Sequence, residues 1–194
     1  MTELDERAQR IVDTAIELAA ADGFAAVRLR DVAASAGVAL GTLYKRFASK
    51  EEILVAALEQ ESEKLLARLG KRQPEGTDPN ERVGNLFDSM TRGLTRKPNL
   101  ARALIRSIAS GDPHVASKVI SFHAMITGLT VATIRGEAAS EWRGEASEAQ
   151  RTAAMILQHV WFASLVGWAG GQHDVQATIE QVRAAAKMLN LSQG

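Results

Sequence analysis

The side chains best placed for chemistry lie in one short stretch, Gly-Thr-Leu-Tyr-Lys-Arg-Phe at Gly41–Phe47. Gly41 lets another backbone approach closely, Thr42 and Tyr44 carry hydroxyls that can reach phosphate oxygens, and Lys45 and Arg46 supply positive charge. Amides beside Gly41, at a helix N-terminus, also favour phosphate. A threonine methyl can pack on a thymine methyl in a major groove. Arginine on guanine is the commonest base-specific pairing, so Lys45 and Arg46 are the expected base readers. Arg28 and Arg30 precede this stretch, and Lys50 follows it at the start of the next helix, where a backbone phosphate can lie. Between Val27 and Lys50 the lone acid is Asp31, whereas residues 1–26 and 51–63 hold mostly Asp and Glu. The chain as a whole balances 23 cations against 23 anions. A cationic patch within an acidic surround points to a local anionic target rather than a generally adhesive surface.

Other chemistry finds little support. His114, His123, His159 and His173 show no i, i+4 spacing, and cysteine is absent, so neither a zinc site nor any other metal is expected. No Gly-rich phosphate loop or nucleophile elbow occurs, and no cofactor is implied. Ser107 and Ser110 near His114 have suitable residue types but lack an acidic partner. The chain is therefore not expected to be an enzyme. Its 194 residues, 46% apolar and 24% charged, can bury a core. No apolar run of roughly 18 residues suggests a membrane span, and the acidic start MTELDERAQR is no secretory signal. The cytoplasm is the expected compartment, with no membrane partner.

The elements that must hold the patch read as helices throughout, so the expected fold is all-α with about nine helices. Ile11, Val12, Ala15 and Ala19 share one face of a first helix that stops at Asp22-Gly23. Short helices follow at about Arg30–Ala36 and Leu40–Phe47, separated by Gly37. Ser49 to Glu52 forms a capping box that opens a long helix with Ile53, Leu54, Ala57, Leu58, Leu65, Leu66 and Leu69 on its apolar side. Gly70–Pro79 is the most turn-rich stretch and marks a boundary or hinge. Asp78-Pro79, Asn99, Gly111-Asp112-Pro113 and a second capping box at Ser147–Gln150 open further helices, and a last one follows Gly170-Gly171. The polar loop at Gly136–Ala146 holds Trp142, expected to pack down on the helices.

Two short helices joined through a glycine, flanked by longer ones, form the pattern of a helix-turn-helix. Val32 and Ala33 face inward, Val38 plugs the core, and Leu43 and Phe47 anchor the second helix. Gly41, Thr42, Tyr44, Lys45 and Arg46 remain outside. The expected division is a DNA-binding domain over residues 1–50, linked through the helix at about 50–69, and a ligand-binding and dimerisation domain over 51–194.

Residues 11–58 resemble the N-terminal domain of the TetR family of bacterial transcriptional repressors. The resemblance rests on ADGF after the first helix, LRDVA, AGV at the turn, GTLYKRF and SKEEIL. It implies a homodimer on a double-stranded DNA operator, with C-terminal helices that bind a small-molecule effector whose arrival releases DNA. Two departures matter: Arg28 stands where the family often has a capping Thr or Ser, and Arg46 where an aromatic or histidine is frequent. The operator sequence is thus not transferable. TRKPNLARALIRSIASGDP and VWFASLVGWAGG are most similar to the cholesterol-catabolism repressors of actinobacteria, which implies a sterol-derived or acyl-CoA-type effector.

The last two helices are the expected dimer interface, through Val160, Trp161, Ser164, Trp168, Val175, Ile179, Val182 and Ala186. Two-fold symmetry would match a pseudo-palindromic operator, although the same face could pack within one protomer. The expected effector site comprises Met90, Leu94, Leu104, Ile108, Phe122, Met125, Ile126, Leu129, Met155, His159 and Phe162, with His159 as polar handle. Such residues at helical spacing equally describe plain core. Arg102 and Arg106, one turn apart, suit either an effector's anionic group or a solvated stripe. The alternative to a regulator is a helical small-molecule-binding protein or enzyme whose N-terminal helices are structural.

Overall fold

Alanine-rich helical periodicity becomes nine α-helices and no strand among the residues that the computed structural model describes, 3–69, 74–141, 144–189 and 191. The helices are α1 (Glu3–Asp22), α2 (Leu29–Ser35), α3 (Leu40–Tyr44), α4 (Lys50–Leu69), α5 (Pro79–Thr95), α6 (Pro98–Ile108), α7 (Ala116–Arg135), α8 (Glu148–Ala169) and α9 (Val175–Leu189). Short 3-10 turns occupy Phe24–Ala26 and Pro113–Val115. The proline expected to open α7 instead opens the second of these turns. Residues 70–73 of the turn-rich stretch, Trp142 of the polar loop and the Leu66 side chain lie outside the described residues.

The chain divides into two compact units, residues 1–62 with 97–120, and residues 63–96 with 121–194. The division between the units falls within α4, and the segment around α6 groups with the N-terminal helices. Packing explains the regrouping. α6 lies against α1 and the Phe24–Ala26 turn, and Asn99 Nδ2 donates to the Ala21 carbonyl at the end of α1 (2.9 Å). Leu100, Ala101, Leu104 and Ile105 of α6 are buried, as are Ile11, Ala15 and Ala19 of α1 and Ile53, Leu54 and Ala57 of α4.

The start of α4 is fixed three ways within the first unit. The Glu52 N–H donates to Ser49 Oγ (3.1 Å), while the Glu52 carboxylate accepts from the Ala48 N–H (2.7 Å), one residue earlier than a standard capping box. Ser49 Oγ in turn donates to Asp112 Oδ2 (2.9 Å), just before the Pro113 turn. Lys50 Nζ and Arg106 Cζ both approach the Phe24 ring, at 3.9 and 4.3 Å from its centroid. Lys118 Nζ pairs with Glu59 (3.3 Å).

Asp112 offers a pH handle on this joint. The His114 amide N–H and, second, the Ser49 hydroxyl hold its carboxyl below the usual aspartate value. A carboxyl whose folded pKa is depressed adds stability above its unfolded pKa and loses it as pH falls through the folded one. Melting temperatures measured from neutral pH into the acid range should show wild type above Asp112→Ala at neutral pH. The two curves should converge once the carboxyl is protonated.

In the second unit α9 packs on both α5 and α8. Phe87 and Trp161 meet edge to face, 5.5 Å between centroids. The indole Nε1–H donates to Thr91 Oγ1 (2.9 Å), and that hydroxyl donates onward to the Phe87 carbonyl (2.6 Å). A buried indole is thereby satisfied inside an otherwise apolar core. Arg183 Nη2 donates to Asn85 Oδ1 (3.0 Å), fastening α9 to α5. α8 begins with the expected capping box, Ser147 and Gln150 each capping the other's amide at 3.1 Å.

Two helical stretches, Pro113–Arg135 and Glu148–Ala169, are long and apolar enough to cross a membrane by length and composition, with mean hydropathies of 1.4 and 1.2. Neither is an unbroken apolar run, since polar side chains interrupt both. Their middles carry polar groups bonded inside the second unit, including Thr127 Oγ1 to Gln158 (2.8 Å) and Ser164 Oγ to Gln181 (2.6 Å). Core helices of a bundle pass the same hydropathy test.

Candidate functional site

The glycine turn between α2 and α3 creates the exposed patch. Val32 and Ala33 are buried, and the Val38 N–H closes the turn on the Ala33 carbonyl (3.0 Å). Val38 itself is only half-buried, a partial plug. Leu43 (0% exposed) and Phe47 (5%) anchor the second helix. Regular α-helix ends at Tyr44, yet the Phe47 N–H still bonds to the Leu43 carbonyl (2.9 Å), so Lys45 and Arg46 ride on one further helical turn.

Gly37 adopts φ +65° with nothing within 4 Å of an added Cβ. A substitution there meets conformational strain and no clash. Gly37→Ala should cost about 1–2 kcal/mol, Gly37→Val more, and Gly37→Asn less, because asparagine tolerates the left-handed region. Ranking the three variants by melting temperature checks this.

With two anchors inside, Gly41, Lys45 and Arg46 are exposed, Tyr44 is 54% exposed, and Thr42 is half-buried. Arg28 and Arg30 are exposed at the start of α2. Arg28 occupies the N-cap position and makes no side-chain capping bond, as its residue type requires. Lys50 is placed differently, half-buried with its ammonium on Phe24. That contact holds the cation by cation–π attraction.

A polar groove runs from α1 to the start of α3, lined by Glu6, Arg7, Arg10, Gly37, Val38, Ala39 and Thr42. Arg10 Nε donates to the Ala36 carbonyl (3.4 Å), holding its guanidinium beside the turn. Sequence reasoning confined to residues 27–50 missed these two arginines. Their i, i+3 spacing on the preceding helix was the available signal.

The residues expected to bind an effector fall in both units. Leu104 and Ile108 belong to the first unit, where Leu104 is 2% exposed within the core. In the second unit Met90, Ile126 and Leu129 are buried, Leu94, Phe122, Met125 and Phe162 half-buried, and Met155 and His159 exposed on α8. A cleft in this unit is lined by Leu69, Arg82, Asn85, Leu86, Leu129 and Thr133 among others. Arg82 there donates to the carbonyls of Thr133 (3.1 Å) and Ile134 (2.9 Å).

A tighter arrangement surrounds a residue that the sequence did not single out. The His123 ring lies 6.0 Å from that of Phe122, 6.5 Å from His159 and 6.1 Å from Phe162, the last two edge-on. Its Nε2 is shut off from solvent and has no hydrogen-bond partner among the described residues. Burial, and then the charge of His159, push its pKa down, so the imidazole is neutral at neutral pH.

Of the residues expected at a dimer face, Trp161, Ser164, Trp168, Ile179, Val182 and Ala186 are buried within the protomer and Val160 and Val175 half-buried. The apolar surface left on α8 and α9 is Met155 (47% exposed), Ile156 (38%), Val166 (41%) and Met188 (87%). Arg102 is exposed, and Arg106 is the cation on Phe24. Ser107 Oγ donates to the Ala103 carbonyl (2.9 Å) and Ser110 Oγ to that of Ser107 (2.8 Å). Both hydroxyls are thus turned back on their own helix.

Comparison with known proteins agrees with this arrangement. A model of bacterial regulatory proteins of the TetR family matches residues 11–57, and one of a tetracycline-repressor-like C-terminal domain matches residues 76–189. The HTH-type transcriptional repressor KstR of Rhodococcus jostii (strain RHA1) is 35% identical over 163 residues, covering 84% of this chain and 73% of that protein. The crystal structure of a TetR transcriptional regulator from Rhodococcus sp. RHA1 superposes over 100% of both chains with a TM-score of 0.84 at 26% identity. Thermus thermophilus FadR, a repressor solved in complex with lauroyl-CoA, shares the fold with a TM-score of 0.65 at 22% identity over 94% of this chain and 92% of its own.

Proposed function

Since the chain belongs to the TetR family of bacterial transcriptional regulators, we propose that it is a ligand-responsive repressor of the bacterial cytoplasm. It binds a pseudo-palindromic operator as a homodimer and lets go when a small apolar or amphipathic effector binds. The observation that carries the reading is the exposed set Tyr44, Lys45 and Arg46 on a short helix pinned by buried Leu43 and Phe47. Tyr44, Thr42, Arg28 and Arg30 serve as phosphate contacts and Lys45 and Arg46 as base readers. Gly41 permits close approach, and Arg7 and Arg10 extend the cationic side along α1. Lys50 acts through Phe24 by steadying the start of α4.

The partner copy meets the apolar surface that the protomer leaves open on α8 and α9, around Ile156, Val166 and Met188. The buried tryptophans support that surface from beneath. The second unit takes the effector. Its half-buried Phe122, Met125 and Phe162 suit an apolar body, and the KstR-like sequence and a lauroyl-CoA complex in the same fold favour a sterol-derived or acyl-CoA-type molecule.

Gel-shift of the full chain against genomic fragments tests the proposal. Selective retention of a few fragments, reversed by sterol-derived or acyl-CoA compounds, is expected. Retention no better than for bulk DNA would sink the repressor reading, and sedimentation as a monomer at micromolar concentration would sink the dimer.

A further inference from the structure

We infer that His123 Nε2 is the hydrogen-bond partner of the effector, and that the effector presents there an uncharged oxygen, carbonyl or hydroxyl, on an apolar body. The inference rests on the reading that the second unit binds a small molecule. It adds which atom recognises that molecule and what chemical group must meet it.

The argument begins with a broken rule. A buried polar atom costs the free energy of its desolvation unless something bonds to it, and Nε2 of His123 is sealed from solvent without a partner among the described residues. The rings of Phe122, His159 and Phe162 lie around the His123 ring, at 6.0–6.5 Å between centroids. A phenylalanine would fill the same space with no unsatisfied atom, so folding alone does not call for histidine here. Departures of this kind concentrate where function needs them.

The chemistry of the partner follows from the ring's state. Desolvation favours the neutral imidazole, which carries no charge and has one donor and one acceptor nitrogen, so Nε2 makes a single hydrogen bond as one or the other. A carboxylate or phosphate would lose its hydration there and gain no countercharge from this ring, which is costly. A carbonyl or hydroxyl oxygen needs only the hydrogen bond. A second copy of the chain is the alternative occupant, which the dilution arm of the test below separates from a small molecule. His159 is exposed, and its ring and that of His123 meet edge to face at 6.5 Å between centroids.

Three probes of similar size separate the possibilities at neutral pH: naphthalene, 2-naphthol and 2-naphthoate. The full-length protein should bind 2-naphthol about ten-fold more tightly than either of the others, the worth of one net hydrogen bond. The 15N resonance of His123 Nε2 should move with 2-naphthol alone. His123→Phe should melt no lower than wild type yet bind 2-naphthol and naphthalene alike, and His123→Gln should recover part of the preference. Equal binding of naphthalene and 2-naphthol by wild type, or a preference that survives in His123→Phe, overturns the assignment while leaving an apolar effector site in place. Binding of none of the three by wild type removes that site too, and the assignment with it. A shift of the Nε2 resonance on dilution to monomer, with none on adding 2-naphthol, would give the contact to the partner copy and overturn the inference. The resonance readout needs no variant to fold.

Discussion

A Tyr44→Ala, Lys45→Ala double variant should lose DNA affinity on the order of 100-fold, since each contact of this kind contributes about 1–3 kcal/mol. Both side chains are exposed and support no core, unlike Leu43 just before them, which is fully buried. Helicity and melting temperature should therefore stay at wild-type values, as expected for surface substitutions. Salt separates two roles. If Lys45 meets a phosphate, the slope of log affinity against log salt falls in magnitude by about 1. If it reads a base edge, sequence preference relaxes at one position of each half-site. Fragments retained by wild type, titrated at several salt concentrations by fluorescence anisotropy, make the measurement. Undiminished binding by the double variant would show that the N-terminal helices meet DNA some other way, or not at all.

Phe87→Ala should be the most damaging single core substitution. The ring is 1% exposed and stands edge to face with Trp161, whose own N–H is satisfied through Thr91 and the Phe87 carbonyl. Deleting it removes buried apolar surface, leaves a cavity and frees the indole to tilt off its hydrogen bond. Loss of such a phenylalanine costs about 3–5 kcal/mol. For a chain of this size each kcal/mol lowers the melting temperature by roughly 2–4 °C. Urea unfolding followed by tryptophan fluorescence reports it directly, because Trp161 is the neighbour that moves. A loss below about 1 kcal/mol would mean that the α5–α8 contact contributes far less than a packed core phenylalanine should.

Local signals carried much of this fold. Caps and stops are readable because they depend on neighbours in sequence: Ser49 with Glu52, Asp78-Pro79, Ser147 with Gln150 and Asp22-Gly23 all end or begin helices where their chemistry says they should. The exposure of this patch was legible for the same reason. Leu43 and Phe47 had to point inward if the helix was to stay on the protein, which left Tyr44, Lys45 and Arg46 outside.

What depended on distant partners was not legible. Nothing in α6 announces that it packs on α1, so its regrouping with the N-terminal helices could not be foreseen. On α8 apolar residues at helical spacing were visible, but periodicity cannot say which of them the protomer covers itself. Trp161 and Trp168 turned inward, while Met155, Ile156 and Val166 stayed out. His123 escaped notice because one histidine in an apolar helix looks ordinary until its bonding partners are counted.

The interrupted first unit has a consequence for the order in which the protein is made. Residues 1–62 leave the ribosome before α6, and at bacterial synthesis rates of about 5–20 residues per second the chain reaches residue 120 about 3–12 s later. During that interval α1 and Phe24 wait without the helix that covers them, and Ser49 waits for Asp112. The nascent DNA-binding helices are thus complete in sequence well before they are complete in packing. Chaperone capture or misassociation of nascent chains should fall in that window, ahead of any encounter with DNA.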